Sequence, residues 1–284
     1  MKIIVGNNSG FCMGVSYTVR KAYEIVKKTP TVYSLGELVH NERVISDLEK
    51  EGMITVSDIS KIPPFSTVIF RAHGEGVHSY RIAQEKHLNI VDLTCGKIKI
   101  IRNKIERMKK DHFILIIGKK NHPETIGTIS FAGDYSFIIE NEEDVLEAIN
   151  KIKNGPFHKV FVVSQTTFSS SFFDHLVSFL KDHLSYEIIV DKTICDATEK
   201  RQNEVKNLSL EVDKMIIVGG KNSSNTRELY ELAKKNLNDV FFVQDASDLN
   251  LSLFNNCDSI GIMAGASTPD VVVLEIIKEL NRIV

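Results

Sequence analysis

VDLTC, the segment Val91–Cys95, is echoed by VDKTIC, which begins at Val190 and ends at Cys195, and the two cysteines lie 100 residues apart. In the same way KNHPET, beginning at Lys120, is echoed by KNSSNT, which begins 101 residues later. Two echoes at nearly one offset indicate an internal repeat. A third cysteine, Cys12, lies in GFCMG at the matching place of the first third, and thiols placed equivalently in repeated units can meet near one axis. Three thiolates at such a point would suit a metal or an iron-sulfur centre.

The composition is typical of a globular protein, and it argues against several classes of function. With 284 residues, 43% of them apolar and 25% charged, and a formal net charge of −2, the chain can bury a large core. It lacks the basic surface that binding to nucleic acid or an anionic membrane would require. The apolar run in MKIIVGNNSG is too short for a signal peptide or a spanning helix, which predicts a cytoplasmic protein. In that reducing compartment, disulfides among the four cysteines are not expected.

Short runs of Val, Ile and Phe alternate with amphipathic segments, a pattern typical of an α/β protein with mostly parallel strands. One amphipathic segment carries apolar residues at Ile98, Ile101, Ile105 and Met108, the spacing of one helix face. We predict four strands in each third of the chain, and three α/β units spanning residues 1–88, 89–184 and 185–284. The predicted strands begin near Lys2, Val32, Met53 and Thr67, near Asn89, Phe113, Ser136 and Val160, and near Glu187, Lys214, Val240 and Ser259.

Polar residues follow the predicted strands at matching points of every unit. A cysteine follows the first strand of each unit, and polar turns follow the second and fourth strands. In open α/β sheets, ligands bind at the carboxyl ends of strands, where loops and helix N-termini meet. The turns after the second strands hold His40, His122 with Glu124, and Ser223, Ser224 and Asn225, while the turns after the fourth strands hold His73, Thr166 with Thr167, and Ser267.

Each of the three repeated cysteines directly precedes a predicted helix, and the positive end of a helix favours the thiolate that binds metals. Structural zinc usually takes four protein ligands that include closely spaced cysteine pairs, and this sequence has no such pair. A four-iron four-sulfur (4Fe-4S) cluster held by three cysteines would leave one iron without a protein ligand, open to a substrate oxygen. The fourth cysteine, Cys257, lies outside the repeat and is predicted to fill space in the apolar core.

The polar turns predict the chemistry of the ligand. Their histidine, serine and asparagine side chains form a donor-rich set with few fixed charges, which suits the oxygens of a phosphate group. Any one of them taken alone is more often a helix cap or a surface residue. Glu124 beside His122 could hold or relay a proton to a departing hydroxyl, and an exposed glutamate at a helix start is the alternative. Thr166 and Thr167 either orient a substrate hydroxyl or cap the helix that follows.

Taken in order, these motifs resemble those of the 4-hydroxy-3-methylbut-2-enyl diphosphate reductase (LytB) family, and the resemblance covers essentially the whole chain. Glu37 and Glu75 depart from the pattern expected in many relatives, which affects only the shape of their loops. The matching segments are GFCMGV (10–15), VHN (39–41), RAHG (71–74), DLTC (92–95), HPE (122–124), SQTT (164–167), TICDAT (193–198), SSNT (223–226) and GAST (265–268).

The resemblance implies three α/β units in pseudo-threefold arrangement around one 4Fe-4S cluster, ligated by Cys12, Cys95 and Cys195. It implies an enzyme that removes the hydroxyl group of (E)-4-hydroxy-3-methylbut-2-enyl diphosphate as water, giving isopentenyl and dimethylallyl diphosphate. This is the last step of the methylerythritol phosphate route to isoprenoids, and the electrons would come from ferredoxin or flavodoxin. By the same resemblance, Glu124 belongs to the proton path, Thr166 positions the substrate, and the diphosphate is held by His40, His73, His122, Ser223, Ser224, Asn225 and Ser267.

Two other functions agree with part of the pattern. A quinolinate synthase-like dehydratase also resembles three α/β units with three cysteine ligands on a cluster, but the HPE, SSN and GAST motifs favour a diphosphate over a small dicarboxylate. A non-enzymatic iron-sulfur sensor that binds a phosphate metabolite would bind without turnover, and it gives Glu124 no necessary role.

Overall fold

The computed structural model describes residues 1–255 and 257–283. Twelve strands lie within these ranges, and they begin where the apolar runs predict, with the eighth starting one residue early. The strands are β1 (Lys2–Val5), β2 (Val32–Leu35), β3 (Met53–Val56), β4 (Thr67–Phe70), β5 (Asn89–Asp92), β6 (Phe113–Ile117), β7 (Ser136–Ile139), β8 (Lys159–Ser164), β9 (Glu187–Val190), β10 (Lys214–Val218), β11 (Val240–Val243) and β12 (Ser259–Ala264).

Helices fill the connections between these strands, as the amphipathic segments predict. Three short 3₁₀ helices, Ile59–Lys61, Ala246–Asp248 and Leu251–Phe254, complete the described elements. The α-helices are α1 (Met13–Val26), α2 (Glu42–Lys50), α3 (Val77–Glu85), α4 (Gly96–Met108), α5 (Pro123–Ile129), α6 (Glu142–Lys153), α7 (Ser170–His183), α8 (Asp196–Leu208), α9 (Ser224–Lys234) and α10 (Asp270–Leu280). None of these helices combines the length and the apolar content that crossing a membrane requires.

The strands form three four-stranded parallel sheets, which confirms the predicted α/β class. Their orders are β3-β2-β4-β5, β7-β6-β8-β9 and β11-β10-β12-β1. The three orders are equivalent, since each sheet has the second strand of a repeat at one inner position and the fourth strand beside it. The internal repeat detected in the sequence is therefore a repeat of topology as well.

The sheets are shifted by one strand relative to the predicted units. Strand β5 opens the predicted unit 89–184, yet it pairs with β4, with Asn89 opposite Thr67. Strand β9 joins β8 in the same way, and β1 completes the sheet of β12, with Lys2 opposite Ser259. The physical reason is that a strand following a crossover helix adds beside the strand that precedes the helix, so the fourth strand of one unit recruits the first strand of the next.

The chain divides into two compact units. The smaller consists of Met1–Val19, Val39–Asp47 and Asp196–Val284, and it holds the sheet β11-β10-β12-β1. The larger consists of Arg20–Leu38 and Leu48–Cys195, and it holds the other two sheets.

The sheet β7-β6-β8-β9 shows how the apolar strands build a core on both faces. Leu115 and Ile117 point into a cluster with side chains of α6 and α7. Ile114 packs on the other face with Ile101 and Ile105 of α4, the helix face predicted from the sequence. Because burial of one such side chain is worth about 1.5–3 kcal/mol, the ends of β6 and β8 are held on a rigid support.

Candidate active site

Every predicted polar turn lies at a point where its sheet changes winding direction. In each sheet, the chain runs from one inner strand (β2, β6 or β10) to the edge strand beside it (β3, β7 or β11). The strand after that (β4, β8 or β12) lies on the other side of the inner strand. At the carboxyl ends of two such strands the connections leave in opposite directions and open a crevice that binds ligands in α/β proteins. The sequence predicts polar residues at strand ends, and in each sheet the two strands that lead into these turns are neighbours.

Matching hydrogen bonds hold the turns after β2, β6 and β10. In each, a glycine N–H donates to the last carbonyl of the neighbouring edge strand: Gly36 to Val56 at 2.7 Å, Gly118 to Ile139 at 2.9 Å and Gly219 to Val243 at 2.9 Å. Each turn then ends in a side chain that caps the following helix. The capping acceptors are Asn41 Oδ1 before α2, His122 Nδ1 before α5 and Ser223 Oγ before α9.

The three repeated cysteines are also held in matching ways. Each directly precedes a helix: Cys12 precedes α1, Cys95 precedes α4 and Cys195 precedes α8. The amide N–H groups of these cysteines donate to the turns that follow the fourth strands, at Ala266 O (3.2 Å), Ala72 O (3.0 Å) and Thr166 O (2.9 Å) respectively. None of the three cysteines forms a disulfide and all three are half-buried, so each combines a fixed main chain with a side chain that is partly exposed.

This donor set fits a metal or an iron-sulfur centre better than it fits core packing. In the larger unit, Lys97 Nζ, in the first turn of the helix after Cys95, donates to Ile194 O at 2.9 Å, so the chain segments of Cys95 and Cys195 are adjacent. In the smaller unit, the sulfur of Cys12 accepts a 3.5 Å hydrogen bond from Val15 N–H in the first turn of α1. Sulfur atoms that receive helix N-terminal amides are suited to bind cations as thiolates.

Glu124 is held at the centre of the larger unit's polar turns. It lies in the first turn of α5 and is only 3% exposed, so the alternative of an exposed helix-start glutamate is wrong. One carboxylate oxygen accepts from Thr166 N–H at 2.6 Å, and the other accepts from Thr166 Oγ–H at 2.7 Å. Burial raises the pKa of Glu124 above its ordinary value, while the two bonds from Thr166 and the charge of Arg102 oppose that rise. A buried carboxyl group whose proton is favoured in this way is suited to act as an acid.

Two histidines lie beside this carboxyl group. His122 Nδ1 accepts the Glu124 N–H at 3.1 Å, so a neutral His122 ring carries its proton on Nε2. The ring of His73 meets that of His122 edge to face, with 5.3 Å between their centroids. The structure therefore brings together four predicted residues in the larger unit: His73, His122, Glu124 and Thr166.

The smaller unit holds the rest of the predicted phosphate-binding residues, namely His40, Ser223, Ser224, Asn225 and Ser267. Ser267 Oγ donates to His40 O at 3.1 Å, which joins the turn after β12 to the His40 segment. Asn225, in the first turn of α9, is 4% exposed, and both polar atoms of its side-chain amide lack a hydrogen-bond partner within the described residues. A buried amide left unsatisfied costs about 1–3 kcal/mol, so this residue fits a site that a polar ligand completes.

The chain matches a known protein family over nearly its whole length. The family model described as "LytB protein" matches residues 3–281. The chain belongs to the LytB family. This confirms the resemblance predicted from the sequence motifs.

Relatives of this LytB protein match it over its whole length. One from Alkaliphilus oremlandii is 38% identical over 100% of both chains, and one from Clostridioides difficile is 34% identical over 100% of both; each is named 4-hydroxy-3-methylbut-2-enyl diphosphate reductase. A solved structure described as (E)-4-hydroxy-3-methyl-but-2-enyl diphosphate reductase, the terminal enzyme of the non-mevalonate pathway, is 34% identical with a TM-score of 0.71 over 100% of both chains. The E-1-hydroxy-2-methyl-but-2-enyl-4-diphosphate reductase from Plasmodium falciparum is 31% identical with a TM-score of 0.87, over 99% of this chain and 87% of that one.

The structure contradicts one of the two predictions for the threonines of this LytB protein, namely that they cap the next helix. Neither threonine caps the next helix, because α7 begins at Ser170 with Ser169 as its N-cap. Thr166 is bound to Glu124 instead. Thr167 Oγ accepts from Gln165 Nε2 at 2.8 Å, so it orients a neighbour of Thr166.

Cys257 packs against apolar side chains of the core, as predicted. It packs against the apolar cluster of the sheet β11-β10-β12-β1 and is half-buried. Its thiol donates to Phe254 O at 3.2 Å, and burial raises its pKa. These contacts agree with a packing role.

Arg102 is a residue of this region that the sequence reading missed. It lies among Ile98, Ile101 and Ile105 on the buried face of α4 and is 5% exposed. A signal was present, since position 102 falls at helical spacing on the predicted apolar stripe, where a charged residue is rarely buried without a purpose.

Proposed function

We propose that this LytB protein reductively dehydroxylates (E)-4-hydroxy-3-methylbut-2-enyl diphosphate to isopentenyl diphosphate and dimethylallyl diphosphate, the last step of the methylerythritol phosphate route. The observation that carries the proposal is the buried Glu124 carboxyl group, bound twice by Thr166 and adjacent to two histidines. Full-length similarity to reductases of this name supports the same substrate. A sensor that only binds a phosphate metabolite would have no need of a buried acid.

The chemistry requires one C–O bond to break, with two electrons and two protons consumed and one water released. In this proposal Cys12, Cys95 and Cys195 hold a 4Fe-4S cluster, which when bound would supply electrons one at a time and a metal position open to the substrate hydroxyl. Glu124 would deliver a proton to the departing hydroxyl, since burial favours its protonated form and the Thr166 bonds fix the orientation of its oxygens. Thr166 would position the substrate through its own side-chain hydroxyl.

The diphosphate would be bound by neutral donors and main-chain amides in place of a fixed cluster of lysines and arginines. In the larger unit, the His122 ring carries its Nε2 proton when neutral, because Nδ1 accepts the Glu124 amide. In the smaller unit, the unsatisfied Asn225 amide offers both a donor and an acceptor. The proposed diphosphate-binding set is His40, His73, His122, Ser223, Ser224, Asn225 and Ser267.

Three further parts of the proposal rest on the sequence. The electron donor is ferredoxin or flavodoxin, and the protein is cytoplasmic, which agrees with four cysteines that form no disulfide. The units 1–88, 89–184 and 185–284 are proposed as repeats, which the equivalent strand orders of the three sheets support.

One anaerobic experiment tests the function. The purified protein is assayed for iron and sulfide and is then given reduced methyl viologen with the hydroxylated diphosphate, and products are identified by mass spectrometry. We expect both isomeric diphosphates, and we expect Cys95→Ser to abolish them while Cys257→Ser does not. Binding of the substrate to a cluster-loaded protein without turnover would refute the enzyme in favour of a sensor, and dehydration of a dicarboxylate would favour the quinolinate synthase-like alternative.

A further inference from the structure

Arg102 occupies an unusual position for a charged side chain. Its guanidinium lies 4.7 Å above the ring centroid of Phe131, and its Nη2 makes a long hydrogen bond of 3.5 Å to His73 O. Its Nε has no hydrogen-bond partner, and no carboxylate in the described ranges lies within ion-pair distance. Burying an arginine in this way is unfavourable unless its charge or shape serves the site.

The guanidinium of Arg102 packs against two glycines, Gly74 in the His73 turn and Gly127 in the Glu124 helix. Gly74 follows His73 and has a φ of +75°, and a Cβ built on it would lie 2.4 Å from Arg102 Nη2. Gly127 lies in α5, the helix that begins beside Glu124, and a Cβ there would lie 2.8 Å from the same nitrogen and 3.0 Å from Gly74 O. The Arg102 side chain of α4 therefore lies between the His73 turn and the Glu124 helix, and a side chain at either glycine would displace its guanidinium from this position.

The charges around Arg102 come from several elements. Tyr80 on α3, Asp92 on β5, Glu75 in the β4 turn and Glu124 on α5 all act on it electrostatically, while burial lowers the pKa of the guanidinium. Arginine nevertheless stays protonated in proteins. Glu75 is neutralised by its own partner, since Arg71 Nε donates to it at 2.9 Å.

Among the residues that the structure describes, Glu124 has no comparable ion-pair partner. Its nearest groups are Thr166, which donates two hydrogen bonds, and His122, whose Nδ1 accepts from its amide. The positive charge of Arg102 acts on its carboxylate and opposes the rise of its pKa that burial causes. When a buried acid gives up its proton, the carboxylate that remains must be stabilised by charge or hydrogen bonds. A fixed cation nearby supplies that stabilisation without itself exchanging protons.

We propose that Arg102 is a positioning residue for the reaction: it braces the His73 turn against the Glu124 helix, and it stabilises the carboxylate that Glu124 leaves after donating its proton. The inference rests on the proposed function for the meaning of that proton transfer. The contacts themselves belong to the described structure of the larger unit. Arg102 is not assigned a contact with substrate.

The test uses the cluster-loaded protein with Arg102→Met, which removes the charge but keeps a long apolar side chain. Arg107→Met is the matched control, because Arg107 lies on the exposed face of the same helix. Infrared spectroscopy across a pH series follows the protonated carboxyl band of Glu124, identified by its absence in Glu124→Gln. Steady-state assays measure kcat and KM at the same pH values.

We expect Arg102→Met to keep Glu124 protonated to higher pH than in the wild type, because loss of a nearby positive charge disfavours the carboxylate. We also expect kcat/KM to fall on the order of tenfold or more as the His73 turn loses its brace. A purely structural role would lower stability without moving the infrared titration. An unmoved titration in a folded Arg102→Met protein, or an equal movement in Arg107→Met, would overturn the inference.

A second variant keeps the test decisive if Arg102→Met does not fold. Arg102→Lys retains a long side chain but loses the planar guanidinium that fits between the two glycines, so the KM of this variant should rise. A KM equal to that of the wild type would overturn the bracing role. The infrared titration does not depend on turnover. If the wild type fails to convert the diphosphate while the titration still moves in Arg102→Met, the proposed function fails and the coupling of Arg102 to Glu124 stands.

Discussion

Replacement of Thr166 by valine probes the bond that orients the buried acid. Valine has nearly the shape of threonine, so it preserves packing and the main-chain bond from Thr166 N–H to Glu124 Oε1 at 2.6 Å. It removes the 2.7 Å bond from Thr166 Oγ–H to Glu124 Oε2. Hydrogen bonds to charged groups contribute about 1.5–3 kcal/mol. We therefore expect the free energy of unfolding of Thr166→Val to fall by about this amount at a pH where Glu124 is ionised.

Thr166→Ser is the matched control, because it keeps the hydroxyl and loses one buried methyl group, worth about 1 kcal/mol. The two variants should differ in pH dependence. At low pH Glu124 is protonated in every variant, the charge-assisted bond no longer contributes, and the loss in Thr166→Val should shrink. The loss in Thr166→Ser should stay constant, since a methyl group does not titrate.

The assay is guanidinium unfolding of the cluster-loaded proteins under anaerobic conditions, followed by circular dichroism, with kcat and KM measured on the same preparations. Thr166→Val should lower kcat by about tenfold or more, because the acid loses its orientation, while Thr166→Ser should retain most of it. Equal stability losses at all pH values, with equal kcat in the two variants, would refute the assignment of this hydroxyl to the ionised carboxylate.

Three further predictions concern the metal ligands, the ligand-binding amide and the acid. Serine in place of any proposed cysteine ligand should abolish the visible absorbance and the bound iron of the reconstituted protein, whereas Cys257→Ser should keep both; equal iron loss at Cys257 would contradict the ligand assignment. Asn225→Leu should raise the free energy of unfolding without substrate by about 1 kcal/mol, because an unsatisfied buried amide is removed, and should raise KM; an unchanged KM would exclude Asn225 from the binding set. The pKa of Glu124 is higher in the folded than in the unfolded state, so the wild type loses stability as the pH rises from about 4.3 to the folded pKa. Glutamine does not titrate, so the free energy of unfolding of Glu124→Gln should rise relative to the wild type over that range. Parallel pH curves of the two proteins in urea titrations would argue against a raised pKa.

Local patterns predicted the elements of this fold well. Strand starts such as Phe113 and Lys214 could be read from apolar runs bounded by polar turns, because a strand buried on both faces has few other compositions. The site residues could be placed at strand ends for the same reason. The motif order then pointed to the LytB family, which the full-length match confirms.

Sheet membership depended on information that no local window contains. The segment at Asn89 has the same composition whether it opens a new sheet or closes the preceding one, and its pairing with Thr67 is decided by the crossover through α3. The contact between Glu124 and Thr166 joins residues of different turns, so neither neighbourhood alone predicts it. The only sign of the burial of Arg102 in the sequence was a charged residue on an apolar stripe. The two glycines that contact it come together only in the tertiary structure.

The pairing of β1 with β12 has a consequence for how the protein is made on the ribosome. Strand β1, which leads to Cys12, is synthesised about 250 residues before its partner β12. At roughly 5–20 residues per second, the first strand must wait unpaired for many seconds while the other two sheets, built from strands close in sequence, can already form. The main chain of Cys12, whose N–H donates to Ala266 O, is therefore fixed only after the turn that follows β12 has been synthesised.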